Sequence, residues 1–296
     1  MTKLCLGTVQ FGMDYGINNQ QGKPSVEKVF AMIDHALASG ITCIDTACAY
    51  GDAEMLLGQY GISKHDVKVI TKLKPNLITE KCADPAKKVT EEMIGALERM
   101  HLSVLDGYLL HTPEDFYNAG IVEGLLQGKK RGLVKNIGVS VYEMKHAMDV
   151  VESGIMDYIQ LPYSILDQRA DQDLFFKRAK ENGVTIFARS AFLQGFLLME
   201  EKFIPQHLED AKVYLREFDT VIKKYGFTRS QAAFLFAYKN ENIDYLVFGV
   251  DNLQQLGSNI EMCKERLDFS DCRKELSNHF SGISKNIIFP SLWKRG

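Results

Sequence analysis

Asp45, Tyr50, Lys72 and His111 are four side chains of complementary chemistry, met in that order along the chain. Together they suit delivery of a proton to a carbonyl oxygen. The phenol would be the acid, although its ordinary pKa is near ~10. A nearby ammonium favours the phenolate and would lower that value. A carboxylate beside the lysine would hold the ammonium charged and in place. An imidazole can hydrogen-bond the oxygen on which charge develops. Hydride has to come from a cofactor, because no side chain carries one. Taken singly, each residue also has a plain structural role. Asp45 can cap a turn, Tyr50 can pack on the surface, Lys72 can snorkel from an apolar strand, and His111 can close a loop. The joint reading requires a fold that brings the four to one place.

The apolar pattern supplies that fold. Short apolar runs predict strands at 4–8, in the first half of 41–51, and at 67–73, 105–110, 135–139, 158–161, 184–188 and 245–248. Helical patterns lie between them, at 26–39, from 53 to about 58–61, and at 85–100, 116–130, 142–152 and 172–182. A helix pair at 209–224 and 228–239 precedes the last strand, and a helix at 253–263 follows it. In the first helix Val29, Phe30, Ile33, Ala36 and Leu37 recur at helical spacing, with Ser25 at its start and Gly40 at its stop. Strict alternation of strand and helix implies parallel strands joined by right-handed crossovers. An open doubly wound sheet would want Gly-x-Gly-x-x-Gly after the first strand. Residues 10–14 read Gln-Phe-Gly-Met-Asp instead. The expectation is an α/β chain forming a single (β/α)8 TIM barrel, one domain over 1–296, with a tail from 267 packing on the barrel. A short helix at 272–280 and an apolar strip at 287–293 are expected in that tail.

In such a barrel the C-terminal strand ends share one rim. Asp45 and Tyr50, Lys72, His111, Ser140, Gln160 and Arg189 all fall at or just beyond those ends.

Bulk properties exclude other classes. With 35 basic against 38 acidic residues, the formal charge of -3 argues against nucleic acid or a membrane surface as partner. No apolar run approaches the roughly 20 residues of a membrane span. The first seven residues lack the apolar core of an export signal and run into a strand, so a cytoplasmic setting is expected. The six cysteines show no Cys-x-x-Cys pair and no zinc spacing, so free thiols and no metal are expected. Cys43 and Cys48, flanking Asp45, read as packing residues. Nothing in the sequence specifies an oligomeric state.

The stretch Asp-Thr-Ala-Cys-Ala-Tyr-Gly (45–51), followed by Glu54 and Leu57-Gly58, resembles the aldo-keto reductase superfamily. Thr71-Lys72, Leu-x-x-His ending at His111, Gly138-Val139-Ser140, and Gln160 with Tyr163 follow in the same order. The similarity runs from Leu6 to about Asn259. It implies a (β/α)8 barrel binding a nicotinamide cofactor, NAD(P)H, and reducing an aldehyde or ketone to an alcohol. It implies a catalytic tetrad of Tyr50, Lys72, Asp45 and His111, with Tyr50 as acid–base. It further implies that Ser140 and Gln160 bind the carboxamide and that Arg189, Ser190, Phe192 and Gln194 lie along the cofactor's diphosphate. Gly249, Gln255 and Asn259 would hold the adenosine end.

Several positions depart from the family pattern. Val141 stands where Asn is usual, and Arg189 where an aromatic commonly stacks on the nicotinamide. The positions that take Lys, Ser and Arg in NADPH-preferring members read Gly249, Val250 and Gln255, with Asp251 among them. No N-terminal hairpin precedes the first strand, so the tail is expected to help cover the barrel bottom. The opening 7–17 and the block 188–198 resemble a bacterial subgroup associated with sugar and surface-polysaccharide pathways, which points to a sugar or sugar-nucleotide carbonyl. Two further readings share the barrel: a cofactor-binding regulatory subunit, and an epimerase or lyase that retains its nicotinamide.

Overall fold

The computed structural model describes residues 2–79, 81–172, 174–265 and 267–293. Position 173 of the expected helix 172–182, and the last three residues of the expected tail, lie outside them. Eight parallel strands close into a barrel in sequence order. They are β1 (Lys3–Gly7), β2 (Cys43–Asp45), β3 (Lys68–Leu73), β4 (Leu105–Leu110), β5 (Val134–Ser140), β6 (Tyr158–Pro162), β7 (Thr185–Arg189) and β8 (Tyr245–Phe248). Closure comes from β1, which pairs with β2 on one side and β8 on the other. Around it run α1 (Val9–Gly12), α2 (Val26–Ala38), α3 (Ala53–Tyr60), α4 (Pro85–Met100), α5 (Ala119–Lys130), α6 (Met144–Glu152), α7 (Phe175–Glu181), α8 (Lys212–Lys224), α9 (Arg229–Tyr238) and α10 (Leu253–Lys264). The tail adds α11 (Ser270–His279) and α12 (Lys285–Ile288).

Period-two alternation along each strand builds two cores and then the site. Leu6, Ile44, Val69, Leu110, Val139, Ile159, Ala188 and Leu246 face outward and join the apolar faces of the helices. Their neighbours Cys5, Cys43, Ile70, Leu109, Tyr158, Phe187, Tyr245 and Val247 form a separate cluster filling the barrel interior. Two residues further toward the C-terminal end, the same inward face carries Asp45, Lys72, His111, Gln160, Arg189 and Gly249. The polar layer is therefore the next storey of the interior, resting on an apolar floor that keeps water from below.

Local signals mostly act as expected. Gly61 stops α3 in the left-handed conformation at φ 81°, and Thr228 opens α9 with a capping box to Gln231. Some boundaries differ for identifiable reasons. The expected helix 116–130 is a 3-10 turn, Pro113–Tyr117, and then α5, because Asn118 accepts from Gly120 N and Ile121 N and restarts the helix. Ser25 stands before α2 but its hydroxyl makes no cap hydrogen bond. The expected helix 209–224 begins only at Lys212, behind a 3-10 segment, Gln206–Ala211.

The tail's position is a correction. Arg273 of α11 donates to the Phe236 carbonyl and, at 3.0 Å, to Tyr163 Oη. Lys285 pairs with both Glu143 oxygens at 2.7 Å, and the Phe289 ring lies 5.8 Å from that of Tyr142. Glu143 and Tyr142 follow the C-terminal end of β5, so the tail crosses the rim bearing the polar residues, not the barrel bottom. Arg169, stacked 4.5 Å from the Phe289 ring, and Trp293, packed against Phe196, hold it there.

Candidate active site

Asp45 is fixed from both backbone and side chain. Its carbonyl accepts from Thr8 N at 2.9 Å and Thr8 Oγ1 at 3.1 Å, which ties the end of β2 to β1. Its carboxylate takes Lys72 Nζ at 2.7 and 2.8 Å and Gln160 Nε2 at 2.7 Å. The third ammonium proton of Lys72 goes to the Thr46 carbonyl at 2.9 Å. Both members of the ion pair are buried, with no more than 4% of either side chain exposed, and such a pair persists only because every hydrogen-bonding position is satisfied.

Tyr50 lies beyond β2 in the turn leading to α3. Two backbones meet there at glycine distance. A Cβ on Gly12 would lie 1.7 Å from the Tyr50 carbonyl oxygen, and one on Gly51 would lie 2.1 Å from the Gly12 carbonyl oxygen. Gly51 is also in the left-handed region, at φ +58°. From the other side, Glu54 in the first turn of α3 accepts from Thr71 Oγ1 at 2.5 Å and from Arg99 Nε at 2.6 Å. Thr71 precedes Lys72, so one carboxylate registers the phenol-bearing turn against the lysine-bearing strand.

The two rings stand edge to face, Tyr50 and His111 centroids 5.8 Å apart at 88°. Lys72 Nζ lies 5.1 Å from the Tyr50 ring centroid. The four sequence-predicted residues thus meet at one place. One electrostatic expectation is reversed. The Tyr50 phenol is held above its ordinary range by burial first and by the Asp45 carboxylate next, against the opposing pull of Arg189. All three Lys72 protons are engaged by Asp45 and Thr46, so the ammonium sits close to the ring without a hydrogen bond to the phenol oxygen. His111 is pushed down to about 3, by burial and then by Lys72 and Arg189, so its imidazole is neutral near pH 7. Its Nδ1 is buried without a partner.

These residues open into a cavity of about 680 Å³ running from β2 and β4 to the start of α10. Tyr50, Asp45, His111, Ser140, Gln160, Arg189, Ser190, Phe192, Gln194, Gly249, Gln255 and Asn259 all line it, while Lys72 lies beneath Asp45. Its features fit an extended dinucleotide. Gln160 Oε1 is buried with no partner, a free acceptor for an amide N–H₂ beside the Ser140 hydroxyl. Past β7, Ser190, Leu193, Gln194 and Gly195 all have positive φ, at 67°, 47°, 54° and 89°. Within this turn Leu193 N donates to the Ser190 carbonyl at 2.8 Å and Gly195 N to the Phe192 carbonyl at 2.9 Å, so only the remaining N–H groups of the turn are left for phosphate oxygens. A Cβ on Gly249 would lie 2.2 Å from Gln10 Oε1, so a side chain there would require the Gln10 amide to move aside. Asn259 is buried on α10 and faces the cavity.

Among the lining residues that sequence reasoning missed, three stand out. Gln10 on α1 has a buried unpartnered Oε1. Tyr15 sits in the polar loop after α1, its hydroxyl accepting from Gln194 Nε2 at 3.0 Å. Ile17 N also donates to the Gln194 carbonyl at 3.0 Å, so this loop bridges to the one after β7. Tyr142, one past Val141, stacks under Arg189 at 4.3 Å. An isolated aromatic in a polar loop was the available signal for Tyr15.

A model of the Aldo/keto reductase family matches residues 3–274. The chain is 23% identical to the NADH-specific methylglyoxal reductase of Escherichia coli over 266 residues, 78% of this chain and 81% of that protein. It is 32% identical to the methylglyoxal reductase DkgA of Salmonella typhimurium over 144 residues, 46% of this chain and 49% of that protein. Among solved structures, the holo form of aldo-keto reductase AKR11C1 from Bacillus halodurans superposes with a TM-score of 0.76 at 18% identity, over 97% of this chain and 95% of that one.

Proposed function

The chain belongs to the aldo/keto reductase family, and from that premise we propose how its residues divide the work. It is an NAD(P)H-dependent oxidoreductase that reduces an aldehyde or ketone to an alcohol. When bound, the reduced nicotinamide supplies the hydride. Tyr50 delivers the proton to the carbonyl oxygen as negative charge develops there. A phenol held above its ordinary range keeps that proton until a stronger base, the nascent alkoxide, faces it. His111, neutral and with no hydrogen bond to a described residue, has an N–H free to steady the same oxygen. Lys72 places its ammonium 5.1 Å from the centroid of the ring that becomes phenolate. Asp45 and the Thr46 carbonyl hold Lys72, and Gln160 holds Asp45.

The convergence of Tyr50, His111 and the Asp45–Lys72 pair at the inner end of one cavity carries this reading. Replacing Tyr50 by Phe is expected to leave NADH binding, read by fluorescence quenching, intact. Turnover should fall roughly 10²- to 10⁴-fold, the range for losing a general acid. Full activity in Tyr50→Phe would remove Tyr50 from the mechanism. A purely regulatory cofactor-binding subunit would have no use for a buried ion pair held beside a phenol and an unpartnered imidazole.

NADH is proposed as the preferred cofactor. Among the described residues lining the cavity, those near α10 include Asp251 and no Lys or Arg. A 2′-phosphate would meet a carboxylate there without a cation. The first of the relatives above is likewise NADH-specific by name. We place the protein in the cytoplasm as one domain over 1–296 acting on a small carbonyl compound, without nucleic acid or membrane. The six free cysteines, the balanced charge and the mutual closure of β1 and β8 support this. No described helix is long and apolar enough to cross a membrane. A panel of methylglyoxal, simple aldehydes and sugar ketones, followed by NADH oxidation, separates the small-dicarbonyl from the sugar reading.

A further inference from the structure

Arg189 is the single permanent cation among the described residues that line the cavity. Its Nη2 donates to the Val141 carbonyl at 3.2 Å, its Nη1 to Ser190 Oγ at 3.3 Å, and its guanidinium lies 4.3 Å from the centroid of the Tyr142 ring. All three partners are neutral, and Arg189 forms no ion pair with a described carboxylate. The inner end of the cavity therefore carries one uncompensated positive charge. Asp45 and Lys72 neutralise each other at 2.7 Å, and the phenol and imidazole beside them are uncharged. The half-buried guanidinium faces the cavity without a counter-ion, so its charge is available to an anion that enters.

The direction in which the side chain reaches limits what that anion is. Arg189 ends β7, yet its contacts are with Val141 and Tyr142, beyond the end of β5. It extends across β6 toward Tyr50 and His111, whose protonation its charge influences, and away from β8 and α10, where Gly249, Asp251 and Asn259 lie. The turn at 190–195 that follows β7 is closed by its own backbone hydrogen bonds, and the only hydrogen bond Arg189 makes with it is to its neighbour Ser190. Phenols of Tyr142, Tyr15 and Tyr50 are its close electrostatic neighbours, so hydroxyl donors stand around the same point.

We propose that Arg189 anchors an anionic group carried by the carbonyl substrate itself, so that the enzyme takes an oxo acid or an oxo phosphate ester in preference to a neutral carbonyl. The proposal rests on the reductase reading and names its substrate class. Carboxylate and phosphate share the bidentate chemistry that a guanidinium fork recognises, and the two are separated by experiment.

The test pairs each anionic carbonyl with a neutral one: glyoxylate with methylglyoxal, and glyceraldehyde 3-phosphate with glyceraldehyde. In the wild type, kcat/KM should favour the anionic member of at least one pair, and which pair responds identifies carboxylate or phosphate. Arg189→Met should lower that anionic-to-neutral ratio roughly 10- to 100-fold, the loss for one charged hydrogen-bonding partner, and Arg189→Lys should restore part of it. Titration of the NADH-saturated enzyme with oxamate and with inorganic phosphate, by calorimetry, reads the anion site without turnover. At least one should bind the wild type, and Arg189→Met should weaken it by a similar factor. An unchanged ratio in Arg189→Met, or a loss confined to the Kd for NADH, would overturn the proposal and assign Arg189 to the cofactor. If no carbonyl is reduced, the reductase reading fails; the anion site then stands or falls on whether Arg189-dependent binding is seen.

Discussion

At the scale of single residues, the unusual state of the site is its protonation. His111 carries its proton only near pH 3 and Tyr50 keeps its own above the ordinary phenol range, so neither titrates in the working range. With methylglyoxal as substrate, log(kcat/KM) for reduction is expected to stay level from about pH 5 to about 9. An ionisation near ~6.5 in that profile would show that the imidazole titrates normally. The same shift has a stability consequence. The unfolded imidazole takes up a proton near ~6.5 and the folded one only near 3, so between these values the unfolded chain binds more protons. Stability therefore rises with pH across this window, and the His111 contribution is lost as pH falls from about 6.5 toward 3. Melting curves should show a smaller drop in Tm between neutral and acid pH for His111→Gln than for the wild type. The identities of the four residues were legible in the sequence because their types fit one reaction. The direction of the Tyr50 shift was not, because it depends on where each Lys72 proton goes. The three acceptors around that ammonium, two on the Asp45 carboxylate and one on the Thr46 backbone, come together only in the folded chain.

At the scale of elements, the phenol is placed by backbone contact more than by side-chain packing. α1 lies directly on the Tyr50 turn, with Gly12 against the Tyr50 carbonyl and Gly51 against that of Gly12. Glu54 then ties α3 to β3 through Thr71. Gly12→Ala would insert a methyl where the gap to backbone is 1.7 Å, so the turn has to move. Overpacking of this kind costs about 1–3 kcal/mol, seen as a Tm several degrees lower. Displacing the acid by even 1 Å should cost roughly 100-fold in kcat, with NADH binding affected far less. A kcat within twofold of wild type in Gly12→Ala would show that α1 does not set the phenol's position. Regular elements were legible where local signals agree, as in β4 at 105–110 and α4 at 85–100. The segment after β7 was not, since its three non-glycine residues at positive φ, Ser190, Leu193 and Gln194, adopt a backbone that their types do not announce. Tertiary contacts hold it, among them the hydrogen bonds from Ile17 N and to Tyr15.

At the scale of the whole molecule, the eightfold rhythm of strand and helix made the barrel readable, and the rim followed from the barrel. The tail did not, because an apolar strip at 287–293 has no periodicity that says which end of a barrel it covers. Its landing on Tyr142, Glu143 and Phe196 adds Pro290 and Ser291 to the cavity wall. The finished cavity is polarised along its length, with Arg189 toward the inner end and Asp251 toward α10. Asp251 is itself held in place, its N–H donating to Gln255 Oε1 at 2.8 Å and its Oδ2 accepting from Gln255 Nε2 at 3.2 Å. A carboxylate so fixed can hydrogen-bond a ribose hydroxyl but repels a phosphate at the same point. Fluorescence titration should therefore give a Kd for NADH roughly 10-fold or more below that for NADPH, each tenfold being about 1.4 kcal/mol. Asp251→Ser should narrow the gap mainly by strengthening NADPH binding, because it removes repulsion and leaves a hydroxyl. Burial also holds the Asp251 carboxyl above its ordinary range, so in the wild type the gap should shrink as pH is lowered, while in Asp251→Ser it should not. Equal affinities for the two cofactors in the wild type, or a gap untouched by Asp251→Ser, would locate the 2′ position of the ribose away from this carboxylate.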